Sequence, residues 1–280
     1  MSAKTCWSAV WFVAIAAVAQ GCESPEATSR PSGTAPGASR PADTAVVFVH
    51  SGEAVYHYDL RTHEKRKLFG FTLNGRPFDM IYDIAVAPDG RMIAVSSTWI
   101  YSVDSATGAL TAIRRADDLG TVNGAAFTSD GRLLIAGTGI QSVDLATRKV
   151  TRLVEDQTYV SSGDLVQVPD GSIFWTVNET HNDVGDTLVR VDLSTGRITR
   201  VATLSEKGVY GLVYSDGKLA GFARNGDAFT LDPRSGQISE LVHGDIGWFG
   251  AGSGPSQAPA PVAPQPCNGP ACGGGGAIGL

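Results

Sequence analysis

Asp83, Asn123 and Asp164 are the residues of this 280-residue chain whose types and spacing best suit chemistry. Each stands at the start of an apolar run, and the runs recur about forty residues apart, so a repeating fold would gather them on one axis. Two carboxylates and an amide oxygen around one opening suit a hard cation such as Ca²⁺, which takes six to eight oxygens at roughly 2.3–2.6 Å. Counting back from a recurrent turn, the equivalent positions are Asp83, Gly124, Asp164, Gly211 and Gly250, preceded by Tyr82, Asn123, Gly163, Tyr210 and Phe249. Tyr82, Tyr210, Trp248 and Phe249 beside these glycines offer a shallow aromatic platform for a sugar or peptide. The plainer reading is that the two aspartates accept hydrogen bonds from backbone N–H groups at strand ends, and that the aromatics pack between units.

Other chemistry is sparse. A polar insertion from Val177 to Asp186 brings Glu179, His181, Asp183 and Asp186 together without a spacing that a mechanism demands, and a solvated hairpin is the expectation. Of the five histidines, His57 and His63 flank Asp59 and read as exposed. The chain has no H-E-x-x-H, no G-x-S-x-G elbow and no Walker loop, so no catalytic residue is assigned. A net charge of −6 offers no basic stripe for phosphates, which argues against a nucleic-acid partner.

The elements that must position these residues are strands. From Ala45 the chain alternates Val, Ile, Leu, Tyr and Phe with short polar turns. Asp-Gly turns at Asp89, Asp130, Asp170 and Asp216 are spaced 41, 40 and 46 residues apart. A second marker is Asp59 in YDLRTH, Asp104 in VDSATG, Asp144 in VDLATR, Asp192 in VDLSTG and Asp232 in LDPRSG. A four-stranded unit repeated at this period predicts an all-β, five-bladed β-propeller over residues 45–252. The first unit lacks an inner strand, and Trp248–Gly252 has no unit to follow it. These two should pair and close the ring. Trp175 and Phe174 alternate along a strand, so one of them is expected in the core.

The blade pattern APDGRMIAV followed by IYSVDSATG resembles the NHL, gluconolactonase and YVTN-like group of bacterial propellers. The gluconolactonase resemblance implies a metal-dependent lactonase-like hydrolase, with Asp83, Asn123 and Asp164 in the place of its metal ligands. The fourth and fifth inner strands supply only glycine, and a Glu is missing from the set. The competing expectation is therefore a binding or scaffold module for a protein, peptide or glycan, monomeric and without a firm cofactor beyond a possible Ca²⁺.

Lys4 and the apolar run Cys6–Val18 read as a signal peptide over residues 1–21, too short to span a bilayer. Ala19-Gln20-Gly21-Cys22 resembles the lipobox of bacterial lipoproteins, which implies a lipid on Cys22. Residues 22–44 then form a flexible tether. The expected place is the bacterial envelope, at the outer membrane or on the periplasmic side. Residues 253–280 are Pro, Ala and Gly with Cys267 and Cys272, a tail without apolar period that has the option of a small local disulfide.

Overall fold

The structure is a computed structural model describing residues 45–74, 79–179 and 182–253. The signal peptide, tether, Cys22, His181, and the tail with Cys267 and Cys272 lie outside the described residues. Among those described, no helix is long and apolar enough to cross a membrane.

Among the described residues, twenty strands form five antiparallel four-stranded sheets. Blade 1 runs outward as β20 (Gly250–Gly252), β1 (Val46–His50), β2 (Ala54–Asp59) and β3 (Lys65–Gly70). Blade 2 holds β4 (Ile81–Val86), β5 (Met92–Ser96), β6 (Trp99–Val103) and β7 (Leu110–Arg115). Blade 3 holds β8 (Gly124–Phe127), β9 (Leu133–Gly137), β10 (Gly139–Val143) and β11 (Val150–Val154). Blade 4 holds β12 (Tyr159–Gln167), β13 (Ile173–Glu179), β14 (Asn182–Asp192) and β15 (Arg197–Thr203). Blade 5 holds β16 (Val209–Ser215), β17 (Lys218–Ala223), β18 (Ala228–Leu231) and β19 (Ile238–Val242).

The closure predicted from the missing strand is present. Phe48, Val49 and His50 pair with Gly252, Ala251 and Gly250, and Phe249 N–H donates to the His50 carbonyl at 2.9 Å. The last strand of the chain thus completes the first blade and covers the inner edge of β1.

Both repeat markers are turns with a local physical cause. In blades 2 to 4 the hairpin is a type I turn followed by glycine at positive φ: Gly90, Gly131 and Gly171 lie at φ 87°, 81° and 87°. Blade 5 uses one residue fewer, with Ser215 paired to Lys218 and Asp216 and Gly217 both at positive φ. In the second marker one carboxylate oxygen accepts two backbone N–H groups. Asp104 Oδ1 takes those of Ala106 and Thr107 at 2.8 and 3.2 Å; Asp144 and Asp232 repeat the geometry. The aspartate recurs because it replaces a missing backbone acceptor at the turn.

The core is divided five ways, with an apolar cluster in each gap between blades. Trp175 and Phe174 are both buried, on opposite faces of β13, so the expectation that only one reaches the core is corrected. A propeller blade is covered on both faces, and alternation there does not separate core from solvent. The described part of the insertion in blade 4 is a hairpin, with Glu179 paired to Asn182, but its far end is not solvated. Asp186 is buried and accepts the Val209 N–H at 2.5 Å.

Candidate functional site

The five inner strands meet around the axis in the order β20, β4, β8, β12, β16 and back to β20. Each is the edge strand of its blade, so one row of its backbone N–H groups faces the axis with no strand to receive it. Two side chains receive them. Asp83 Oδ1 accepts the Ile84 N–H at 2.8 Å and Oδ2 the Ala125 N–H at 2.7 Å. Asp164 Oδ1 accepts Leu165 N–H at 2.6 Å and Oδ2 accepts Leu212 N–H at 2.9 Å, and Ala251 N–H also bonds to this carboxyl group. Ile84, Ala125, Leu165, Leu212 and Ala251 each follow one of the equivalent positions counted in the sequence. One N–H from every blade therefore converges on two carboxyl groups.

The glycines make room for this arrangement. A Cβ on Gly250 would lie 2.0 Å from Asp83 Oδ1 and 2.5 Å from His50 Nε2, and one on Gly124 would lie 2.5 Å from the Gly163 carbonyl oxygen. Gly250 is bare because Asp83 and His50 fill the space beside it, whereas Gly124 and Gly211 are pressed by the neighbouring inner strands, Gly124 by Gly163 and Gly211 by Gly250 and Ala251. Asp83 and Asp164 are 0% exposed. At this level the axis is packed, and the expected channel is closed.

Burial pushes Asp83 well above the ordinary carboxylate range, and Asp164 beside it adds to the effect through charge repulsion and a direct hydrogen bond. Asp164 is raised by burial too, offset in part by the bond from Asp83 and the converging N–H groups. The geometry suits two carboxyl groups sharing one proton, with a single negative charge held by five N–H dipoles.

The third member of this cluster is His50, whose place the sequence reading missed. It ends β1 opposite Gly250, is fully buried, and accepts the Gly52 N–H on Nδ1 at 3.0 Å. The ring proton then sits on Nε2, which lies 4.0 Å from Asp83 Oδ1 and makes no well-formed hydrogen bond. Burial lowers its pKa to about 3, against a smaller opposing pull from the Tyr82 carbonyl. The signal was available: once β20 pairs with β1, His50 stands beside the glycine equivalent to Asp83.

Asn123 does not join the carboxylates. Its Nδ2 donates to the Ser161 carbonyl at 2.8 Å, tying blade 3 to blade 4. No group of three or more His, Cys, Asp or Glu suited to a metal ion occurs among the described residues. Trp248 is a correction: it is buried in the gap between blades 5 and 1 against Tyr56, Tyr58 and Phe222, and its Nε1 donates to the Gly226 carbonyl at 3.2 Å. Adjacent residues on an extended chain face opposite ways, so Trp248 enters the core while Phe249 turns to the mouth. Of the four aromatics, Tyr82, Tyr210 and Phe249 are half-buried, and the Tyr210 and Phe249 ring centroids are 6.2 Å apart. Met80 stands exposed just before β4.

Two further features lie off the axis. His243 is exposed, and its Nδ1 is 2.7 Å from the buried Asp227 Oδ1, an orienting pair in which no hydroxyl is hydrogen-bonded to His243 Nε2 among the described residues. A cleft of about 680 Å³ lies between Leu119, Gln141, Arg152, Glu155, Asp156 and Val160. Its polar side chains are engaged, with Arg152 on Glu155 and Gln141 on the Leu119 carbonyl. His57 and His63 are half-buried rather than exposed, His57 against Phe48 and Arg66 and His63 against Tyr58.

No family model matches the chain, and no curated protein does. Among solved structures, it is similar to a protein of unknown function from Bacteroides caccae, at 13% identity over 71% of this chain and 72% of that one, with a TM-score of 0.44. TolB from Acinetobacter baumannii matches at 18% identity over 70% of this chain, with a TM-score of 0.44, and the chain spans about half (51%) of its length. A protein described as TolB from Agrobacterium tumefaciens matches at 16% identity, over 74% of this chain and 80% of that one, with a TM-score of 0.45.

Proposed function

We propose that the chain is a binding or scaffold propeller of the bacterial envelope, anchored by a lipid on Cys22 and presenting the mouth around Tyr82, Tyr210 and Phe249 to a protein, peptide or glycan. One observation carries this reading: all four oxygens of Asp83 and Asp164 are occupied by backbone N–H groups of the ring. Carboxyl groups engaged in this way support a structural role at the axis over a lactonase-like reaction there.

Strand polarity supports the orientation. His50 and Gly250 pair at the mouth end, so the chain enters β1 and leaves β20 at the opposite face, where Ala45 and Ser253 lie. Both described ends of the propeller, Ala45 and Ser253, therefore lie away from the mouth.

Two measurements on the full chain test the reading. Cys22→Ala should move the protein from the membrane to the soluble fraction. A photo-crosslinking residue at Phe249 should trap an envelope component that the same residue at the exposed Leu241, on β19, does not. Ca²⁺-dependent turnover of lactones that is lost in both Asp83→Ala and Asp164→Ala would overturn it.

A further inference from the structure

We propose that Asp83 and Asp164 form a one-proton latch on the ring, which holds the strap β20 in place while the proton is shared and releases it when the proton is lost to solvent. The strap is three residues long, and on its outer side it has only the pairing with Phe48, Val49 and His50. On its inner side the Ala251 N–H bonds to Asp164, and Gly250 packs so closely on Asp83 that no Cβ fits between them. The carboxyl pair is thus the inner clamp of the closing strand.

The charge balance of that clamp depends on one proton. With it, an Asp83 O–H donates to the Asp164 carboxylate, and one negative charge faces five N–H donors. Its departure breaks that O–H bond, passes the proton to hydroxide or buffer, and leaves two carboxylates in contact inside a packed interior. Repulsion between two buried charges at this range is one of the largest penalties a fold can carry. Moving apart relieves it, and the shortest element holding them is β20.

The surroundings cannot absorb the second charge. From β1 the only titratable group facing the pair is His50, which is neutral and 4.0 Å away. Strands β8, β16 and β20 present the uncharged backbone of Gly124–Ala125, Gly211–Leu212 and Gly250–Ala251, and from β13 Thr176 contributes a hydroxyl to the Asp164 N–H at 3.1 Å. This inference concerns how the ring closes and does not depend on which partner the mouth takes.

Hydrogen exchange on the full chain tests it, with the opening equilibrium at Ala251 read from about pH 5 to about pH 9 and Val189, in the middle of blade 4, as the reference. Raised folded-state carboxyl pKa values stabilise fully below the unfolded value and the stabilisation is lost as pH rises, so the opening at Ala251 should grow by up to about tenfold per pH unit from the ordinary carboxylate range up to the pair's own titration and level off above it. Val189 should stay level. Asp83→Asn, which keeps a donor to Asp164 without a titratable proton, should hold the Ala251 opening flat. Should that variant fail to fold, Asp164→Asn serves the same purpose and the unsubstituted chain alone remains decisive. A flat Ala251 profile, or equal growth at Ala251 and Val189, overturns the latch.

Discussion

At the residue scale the axis illustrates how identical backbone symmetry can demand unequal side chains. Five inward N–H groups need acceptors, and two carboxyl groups supply them with Gly250 left bare beside Asp83. Asp164→Ala should therefore leave the N–H groups of Leu165, Leu212 and Ala251 buried and unpaired. At about 1–3 kcal/mol for each stranded donor, the loss should exceed about 3 kcal/mol by urea denaturation. Gly250→Ala should cost about 1–3 kcal/mol or more by overpacking against Asp83 and His50, with the same measurement as the check. The positions of Asp83 and Asp164 were legible in the sequence from the repeat alone. Their role was not, because the groups they bind are backbone donors from strands 42 and 48 residues away, and backbone leaves no mark on composition. Asn123 misled for the same reason: its partner is the Ser161 carbonyl.

At the element scale the decisive piece is the strap. Trp248 fills the gap between blades 5 and 1 and then hands the chain to β20, so this short segment supplies both the packing and the pairing of the closure. Deleting residues from Trp248 onward should expose the β1 edge at Phe48–His50 and make the chain associate with rising concentration on size-exclusion chromatography, relative to the full chain. A fully monomeric deletion variant with an unchanged unfolding midpoint would show that the closure is dispensable. The blades themselves were readable, since Asp-Gly and Asp-x-x-Thr turns are local and their conformations follow from glycine and from the aspartate's own acceptor. The strap was readable as a missing strand. Trp248 was misplaced because its orientation depends on where the last strand begins, and strand ends are decided by pairing with β1 rather than by local sequence.

At the scale of the whole molecule, pH should act on opposite sides of a stability maximum. Asp59, Asp144, Asp192 and Asp232 are held below the usual carboxylate range, in Asp192 chiefly by the Ser194 hydroxyl and in the others by turn N–H groups. Their contribution is present above the unfolded value, roughly pH 4, and fades as pH falls through the folded values. His50, buried and neutral, adds a loss that starts as pH falls below 6.5 and continues toward about 3. The axial pair acts in the other direction, and its contribution fades as pH rises. Urea midpoints across pH should trace a dome, and His50→Gln should flatten the segment between about pH 6.5 and about pH 4 while leaving the alkaline limb intact.

The account turns on the axial carboxyl groups being satisfied by the ring rather than reserved for a ligand. The direct measurement is the carboxyl ¹³C spectrum of aspartate-labelled full-length chain, followed through a pH titration with and without Ca²⁺. The account predicts two resonances, assigned by Asp83→Asn and Asp164→Asn, that titrate in coupled steps above all the turn aspartates and do not move when Ca²⁺ is added. Two independent titrations in the ordinary carboxylate range, or a Ca²⁺-dependent shift of both resonances, would contradict it.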